Sequence, residues 1–179
     1  MREWRDNQGR PWQLALTVLS ARRVRDTVKA TYQRTGADGQ PTGETEERRL
    51  DLLDTASIGQ TLSILRGNFL ALSEALLAIH EPQVAAKGLD GDQFLDGLAG
   101  DALDAARSAL EDELVAFFPR RYREVVAEMS RRMTEVETEL TARAREAIAT
   151  AVAGPPGMLC GSALESSVST RESGPSVSL

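Results

Sequence analysis

The stretch Gly88–Pro119, GLDGDQFLDGLAGDALDAARSALEDELVAFFP, decides the fold of this chain. A short apolar turn comes first and is punctuated by Gly97 and Gly100. Asp101 then stands where a helix N-cap belongs, because a side-chain oxygen there accepts a hydrogen bond from a free backbone N–H. Behind it, apolar residues recur at steps of three and four until Pro119, the period of one helix face. The stretch predicts a short helix, a tight corner and a longer amphipathic helix.

Aspartates crowd the same stretch and invite a calcium or magnesium interpretation; they are Asp90, Asp92, Asp96, Asp101 and Asp104. Their spacing lacks the calcium-loop pattern with its glutamate at position twelve. Helix capping and the helix dipole explain aspartates at helix starts without a metal. The only histidine, His80, has no second histidine to build a metal site and suits a helix end or the edge of a core. We expect no metal and no cofactor.

Catalytic motifs are missing as well. Serine, cysteine and lysine candidates have no base nearby in a recognisable pattern, and the segment GLAGD at 97–101 lacks the Lys-Ser/Thr ending of a phosphate-binding loop. We therefore expect that the protein is not an enzyme.

Composition favours one helical domain. The 179 residues are long enough to bury a core, and the aromatic content of 4% indicates a core made mainly of Leu, Ala and Val. No apolar run approaches the roughly 18 residues of a membrane span, and the N-terminus has no signal-peptide core. The single cysteine, Cys160, excludes an internal disulfide and a cysteine-based metal cluster. These features predict a cytoplasmic protein without a membrane partner.

The net charge of −6 is unevenly distributed. Residues 1–35 carry eight basic against three acidic residues, and residues 154–179 carry one basic against two acidic residues, so the middle of the chain is strongly acidic. An acidic body argues against wrapping a nucleic-acid backbone, because phosphate binding needs local positive charge. A head-to-body attraction between copies, and hence a homo-oligomer, stays open.

Residues 2–18 are predicted to form a β-hairpin. The turn formers Asp6-Asn7-Gln8-Gly9 are followed by an alternating pattern that places Trp12, Leu14 and Leu16 on one face. Pro11 cannot donate to a strand ladder and belongs at the strand's first residue or on an edge. An isolated hairpin is marginal, so this face must pack against helices, which we favour, or against another chain.

The next helix is predicted from an N-cap at Ser20 to about Ala30. Its surface carries Arg22, Arg23 and Arg25, three arginines within four residues that suit nucleic-acid contact. No aromatic stacking partner or glycine-rich loop accompanies them, so a solvated helix face is favoured. Residues 30–49 form either a polar β-hairpin arm around the loop at 36–43 or the start of a helix, and the hairpin is slightly favoured.

Three more helices follow from caps and periodicity. Thr55 is a cap candidate for a short helix, and Asn68 for a second helix whose widely distributed apolar residues suggest a central position. Pro82 predicts a kink or a restart within it, and Lys87-Gly88 a stop. The longest helix is expected over Arg120–Val152, with an apolar face that weakens to alanines after Leu140.

From Gly154 onward, Pro, Gly and Ser dominate, and we expect residues 154–179 to be disordered because they bury too little apolar surface. The predicted fold is therefore mainly α with a small N-terminal β-hairpin. A domain at 1–153, with a possible inserted β-arm at 30–49, ends in a long helix and is followed by the tail.

The order of six pieces resembles the small tail assembly chaperones of long-tailed bacteriophages and prophages. The pieces are GRPW at 9–12, SARRVRD at 20–26, DLLD at 51–54, EPQVAAKG at 81–88, FLDGLAGD at 94–101 and ELVAFFP at 113–119. The similarity covers most of residues 1–150. The chain departs from the family between Lys29 and Arg49, where such proteins would pass directly from the arginine helix to the Asp-Leu-Leu segment.

The resemblance implies a protein without catalysis that binds and solubilises the tape-measure protein and promotes assembly of the tail-tube protein in the bacterial host cytoplasm. The serine-rich tail looks like the linker from which related phages make a longer form by ribosomal frameshifting. Candidate partner contacts, each also explained as core, are Phe94, Leu98, Phe117 and Phe118. Two alternatives stay open: a nucleic-acid-binding or regulatory module using Arg22, Arg23 and Arg25, and a structural helical subunit of another assembly.

Overall fold

The computed structural model describes residues 1–36 and 40–153. In chain order its elements are β1 (Arg2–Arg5), β2 (Pro11–Leu14), α1 (Val18–Thr27), β3 (Lys29–Thr35), β4 (Pro41–Arg49), α2 (Ile58–Gly67), α3 (Phe69–Ala86), α4 (Gly91–Leu95), α5 (Asp101–Phe117) and α6 (Arg120–Ala153). The pairs β1–β2 and β3–β4 each form a two-stranded antiparallel sheet. The predicted class, mainly α with a small N-terminal β-hairpin, is confirmed.

The chain divides into two compact units, Met1–Glu137 and Thr138–Leu179. All elements up to α5 and the first part of α6 belong to the first unit. The tail predicted to be disordered, residues 154–179, lies outside the described residues, and so do residues 37–39 of the predicted loop.

The N-terminal hairpin has the predicted inner face. Trp4 pairs with Trp12 in the register, and Pro11 is the first residue of β2. Trp12, Leu14 and Leu16 are buried, and the hairpin packs against α3 and α5. The expected attachment to helices is therefore present, because a two-stranded sheet gains its stability from the surface it covers.

An aromatic cluster fills the space beneath this hairpin. The ring centroids of Trp12 and Phe94 lie 4.8 Å apart and those of Trp4 and His80 5.6 Å apart, both edge to face. His80 is fully buried, and its Nδ1 lies 2.8 Å from the Leu76 carbonyl oxygen. Burial holds the pKa of His80 below its ordinary value, although the Leu76 bond acts in the opposite direction.

The turn between β1 and β2 is organised by one buried carboxylate. Asp6 accepts hydrogen bonds from the backbone N–H groups of Gln8 (3.0 Å) and Arg10 (2.8 Å) and from Trp12 Nε1 (2.9 Å). Arg10 Nε also donates to Asp6, at 2.5 Å. The predicted turn formers thus act through a side chain that fixes the backbone around it.

The same turn docks onto the C-terminal end of α4. Asn7 N–H donates to the Gly97 carbonyl at 3.1 Å, and Arg10 Nη2 donates to the Gln93 carbonyl at 2.9 Å. A Cβ added at Gly97 would lie 2.7 Å from Arg10 Nη2, 3.0 Å from Asp6 Oδ2 and 3.1 Å from the Phe94 carbonyl oxygen. Gly97 therefore permits the close approach of the hairpin turn to α4.

Three predicted N-caps are wrong. Helix α1 begins at Val18, and its cap is Thr17; Ser20, the predicted cap, is the third helical residue and completes a capping box with Thr17. Helix α5 is preceded by Gly100 at φ +55°, so Asp101 lies inside the first turn and acts through the helix dipole. Helix α2 follows Ser57 in place of the predicted Thr55.

Both ends of α3 lie where the sequence predicts them. The Asn68 side chain accepts a hydrogen bond from Ala71 N–H, as predicted. At the other end, Gly88 adopts φ +66° and Leu89 N–H donates to the Val84 carbonyl at 3.0 Å, which is a Schellman ending. Of the kink or restart predicted at Pro82, the restart is wrong, because α3 is one helix from Phe69 to Ala86 with Pro82 inside it.

The inserted arm is a β-hairpin, as favoured. Ala30 and Tyr32 of β3 are buried, and the Arg48 guanidinium lies 3.8 Å from the centroid of the Tyr32 ring. Gln60 Nε2 of α2 donates to the Gln33 carbonyl of β3 at 3.2 Å. The arm is therefore attached to the helical body through α2.

The first part of α6 is held by a polar network that the sequence did not predict. Arg66 of α2 and Glu111 of α5 form an ion pair in which both side chains are only about a tenth exposed, with Nε to Oε1 at 2.9 Å. Ser130 of α6 donates to the same carboxylate at 2.8 Å, and Arg66 donates to the Ser130 carbonyl at 3.1 Å. Within α6, Arg132 Nε also lies 2.7 Å from Glu128 Oε1.

Among the described residues, no helix taken by itself is long and apolar enough to cross a membrane. Helices α2 and α3 meet the length and composition criteria only as a pair, bent by 105°. Both contribute buried residues to the core, among them Leu62, Leu72 and Leu76.

We expect Gly97→Ala to destabilise the protein by about 1–3 kcal/mol, since the new methyl group overlaps the Asp6–Arg10 pair and the Phe94 carbonyl. Urea denaturation measures the loss. Gly67→Ala is the matched control, because no atom lies within 4 Å of a Cβ there and alanine favours the helix. Equal stability of the two variants would contradict the close packing of the turn on α4.

Stability should also fall as the pH drops below about 6.5. The pKa of His80 is lower in the folded than in the unfolded chain, so the unfolded chain binds the extra proton as the pH falls through the unfolded value. The free energy of unfolding should fall by up to about 1.4 kcal/mol per pH unit in urea titrations between about pH 6.5 and pH 5.5. His80→Leu should remove this slope; an unchanged slope would show that another group causes it.

Candidate partner-binding groove

Most of the aromatic and leucine side chains proposed as partner contacts belong to the core. Phe94, Leu98 and Phe118 are buried, and Phe117 is half-buried with its ring centroid 6.2 Å from that of Phe118. Phe94 lies in the cluster beneath the N-terminal hairpin. Three of the four are therefore not accessible to a partner in this conformation, and the alternative explanation as core residues fits their burial.

The three arginines of α1 lie at the surface, each beside a carboxylate. Arg22 Nε is 3.5 Å from Asp26, and Arg25 Nη1 is 3.9 Å from Asp51. Arg23 Nε is 3.3 Å from Glu81 of α3. Because neighbouring carboxylates offset their charge, the arginines do not create the isolated positive patch that phosphate binding needs.

A groove between α1 and α3 is a concave site in the first unit. Its cavity volume is about 500 Å³, and its walls are mainly apolar. Arg23, Thr27 and Val28 come from α1 and the residue after it, and Leu89 and Gly91 follow α3. The remaining lining residues all belong to α3: Glu74, Leu77, Ala78, Glu81, Val84 and Ala85. We call this site the α3 groove.

The local sequence explains how the groove forms. Gly88, in the left-handed region, reverses the chain after α3 and brings Leu89 and Gly91 back to line the groove with it. A Cβ added at Gly91 would lie 3.3 Å from Leu77 Cδ2, so the backbone approaches the helix closely there. The segment EPQVAAKG, part of the family resemblance, therefore forms one end of α3 and part of the groove wall.

The charged side chains that line the groove do not balance one another. The Arg23–Glu81 pair joins α1 to α3 at its rim. Glu74 lines both the groove and an adjoining depression, and it is half-buried. The side chain of Glu74 forms no hydrogen bond or ion pair with another described residue. The α3 groove is therefore an apolar site with one uncompensated carboxylate.

The sequence interpretation missed exposed apolar residues at the start of α3. The apolar residues that predict a central position for α3 include Phe69 and Leu70. In the structure the side chains of these two residues are 60% and 68% exposed. Leu70 lines the depression that adjoins the α3 groove. The sequence does carry a signal for this exposure, because apolar residues lie on all sides of α3. Where neighbouring elements do not cover such a helix, its apolar surface stays available to a partner.

Helix α6 also exposes apolar side chains. In the first unit these are Val125 and Val136, and in the second unit Leu140 and Ile148. They belong to the predicted apolar face of the long helix, of which Val126 is buried and Met129 is partly buried against the core.

The structure also places the acidic residues that were considered as metal ligands. Within residues 1–36 and 40–153, no group of three or more His, Cys, Asp or Glu side chains is placed to hold a metal ion. Asp90, one of the aspartates considered as a ligand, forms a capping box with Gln93 at the start of α4.

No protein-family model, curated protein or solved structure matches the chain.

Proposed function

We propose that this protein is a tail assembly chaperone of the kind found in long-tailed bacteriophages and prophages. In this role it binds and solubilises a tape-measure protein and promotes the assembly of tail-tube subunits in the bacterial host cytoplasm, without catalysis. The sequence resemblance suggests the role. The observation that carries it in the structure is the apolar α3 groove on a mainly α fold.

The groove has the dimensions and chemistry for a helical client. From Glu74 to Ala85, the groove follows α3 for roughly 17 Å at 1.5 Å per residue, which is about three helical turns. An amphipathic helix places its apolar face in such a groove through residues spaced three and four apart. A long helical protein that exposes apolar stripes before assembly is prone to associate with itself, and covering a stripe prevents this.

The acidic middle of the chain adds to this role. Like charges on neighbouring copies repel one another, which keeps a chaperone and its client dispersed. The alternative of a nucleic-acid-binding module is weaker, because Arg22, Arg23 and Arg25 all lie beside carboxylates. A structural helical subunit of another assembly would also use an apolar groove, and a client-solubility assay separates it from a chaperone.

We expect co-expression with the tape-measure protein proposed as its client to raise the soluble fraction of that protein and to yield a co-purifying complex. Ala78→Arg should abolish most of this effect, since it places a long charged side chain in the groove. Sedimentation followed by gel quantification, together with affinity capture, measures the result.

Ala127→Arg is the control, because Ala127 is an exposed alanine within α6. It should solubilise the client as well as the unmodified chain does. If the unmodified chain neither solubilises nor captures the tape-measure protein, the chaperone role is wrong. If Ala78→Arg works as well as the control, another surface binds the client.

A further inference from the structure

Glu74 occupies the centre of an apolar surface. It lies on α3 one turn after Leu70 and one turn before Leu77 and Ala78, so these side chains share one face of the helix. Glu74 borders the α3 groove on one side and the depression containing Leu70 on the other. A helix laid along α3 would therefore cover this carboxylate.

The basic groups nearby are already engaged. Lys29 Nζ lies 2.9 Å from Glu47, and both line the depression beside Glu74. Arg23 lies 3.3 Å from Glu81, and both line the groove. In each site the paired residues balance one another, and the remaining negative charge is that of Glu74. This charge has no partner among the described residues.

A bound helix would change the surroundings of Glu74. Covering the groove removes water from the carboxylate, and a buried charge without a partner is strongly unfavourable. A lysine or arginine on the bound face restores an opposite charge, whereas a glutamate there adds repulsion. The groove therefore discriminates between helices of equal apolar character by the charge opposite Glu74.

We propose that the α3 groove selects amphipathic helices whose apolar stripe is interrupted by a single lysine or arginine, and that Glu74 pairs with this cation. This inference rests on the proposed function, because the helix that it describes belongs to the client of the chaperone. The occupant is a helix of another protein. A second copy of this chain is a separate outcome that the experiment below detects.

The probes are three fluorescein-labelled peptides of about 18 residues, long enough for the face of α3 at 1.5 Å per residue. All three carry the same leucine- and alanine-rich stripe and differ only at its central position, which is Lys, Gln or Glu. Fluorescence anisotropy with the full chain, at low and high salt, gives the affinities. The Lys peptide should bind about tenfold more tightly than the Gln peptide, with the Glu peptide weakest, and added salt should narrow the differences.

Charge reversal on the protein supplies the decisive comparison. Glu74→Lys should invert the order of the three peptides, and Glu74→Gln should bring their affinities together. Glu124→Lys, a reversal of an exposed glutamate on α6, should leave the original order unchanged. Circular dichroism confirms that each variant is folded; if Glu74→Lys is not, the convergence expected for Glu74→Gln decides the question.

Three outcomes would overturn the proposal: no binding of any peptide, equal affinities for all three, or an order that Glu74→Lys leaves unchanged. Self-association that excludes the peptides, seen by analytical ultracentrifugation, would assign the groove to a second copy instead. The proposed function fails separately, when the tape-measure protein is not solubilised although the peptides are distinguished. Solubilisation without peptide discrimination would preserve the chaperone role and refute the part given to Glu74.

Discussion

The Asp6 carboxylate is the constraint on which the N-terminal half of the structure depends. Burial alone would raise its pKa, but hydrogen bonds from Trp12 and Arg10 and the Arg10 charge outweigh burial and hold the pKa below its ordinary value. A buried carboxylate destabilises the folded state unless its oxygens accept hydrogen bonds. The backbone of the turn must therefore keep the conformation in which these bonds form. Through Arg10 and Asn7 this turn is attached to α4, so the segments GRPW and FLDG, far apart in sequence, meet in the structure.

The same attachment links the core to the candidate site. Helix α4 begins at Gly91, and Gly91 lines the α3 groove beside Leu89. The aromatic cluster with Phe94 and His80 secures α4 and α3 from within, while Leu77 and Ala78 on α3 face the groove. The fold thus leaves an apolar surface of α3 partly uncovered, and a preformed surface lowers the entropic cost of binding a helix. The carboxylate of Glu74, which has no partner among the described residues, adds selectivity to an otherwise non-directional surface.

Local chemistry explains which features were predictable. The face of the first hairpin, the Asn68 cap and the Gly88 ending follow from patterns within a few residues, and they were predicted. The predicted caps at Ser20 and Asp101 were wrong because nearby Thr17 and Gly100 also suit an N-cap position, and the choice between such candidates depends on tertiary packing.

The network of Arg66, Glu111 and Ser130 joins residues distant in sequence, so no local pattern indicates it. The groove escaped prediction because periodicity identifies apolar residues without showing which of them the neighbours cover.

The central claim, that a client helix binds along α3, is tested most directly by site-specific photo-crosslinking. A photoreactive amino acid is placed at Ala78 in the groove or at the exposed Val136 of α6, and each form is irradiated in complex with the tape-measure protein. The account predicts a covalent adduct from position 78 and little or none from position 136. An adduct from position 136 without one from position 78 would contradict it and assign client binding to α6.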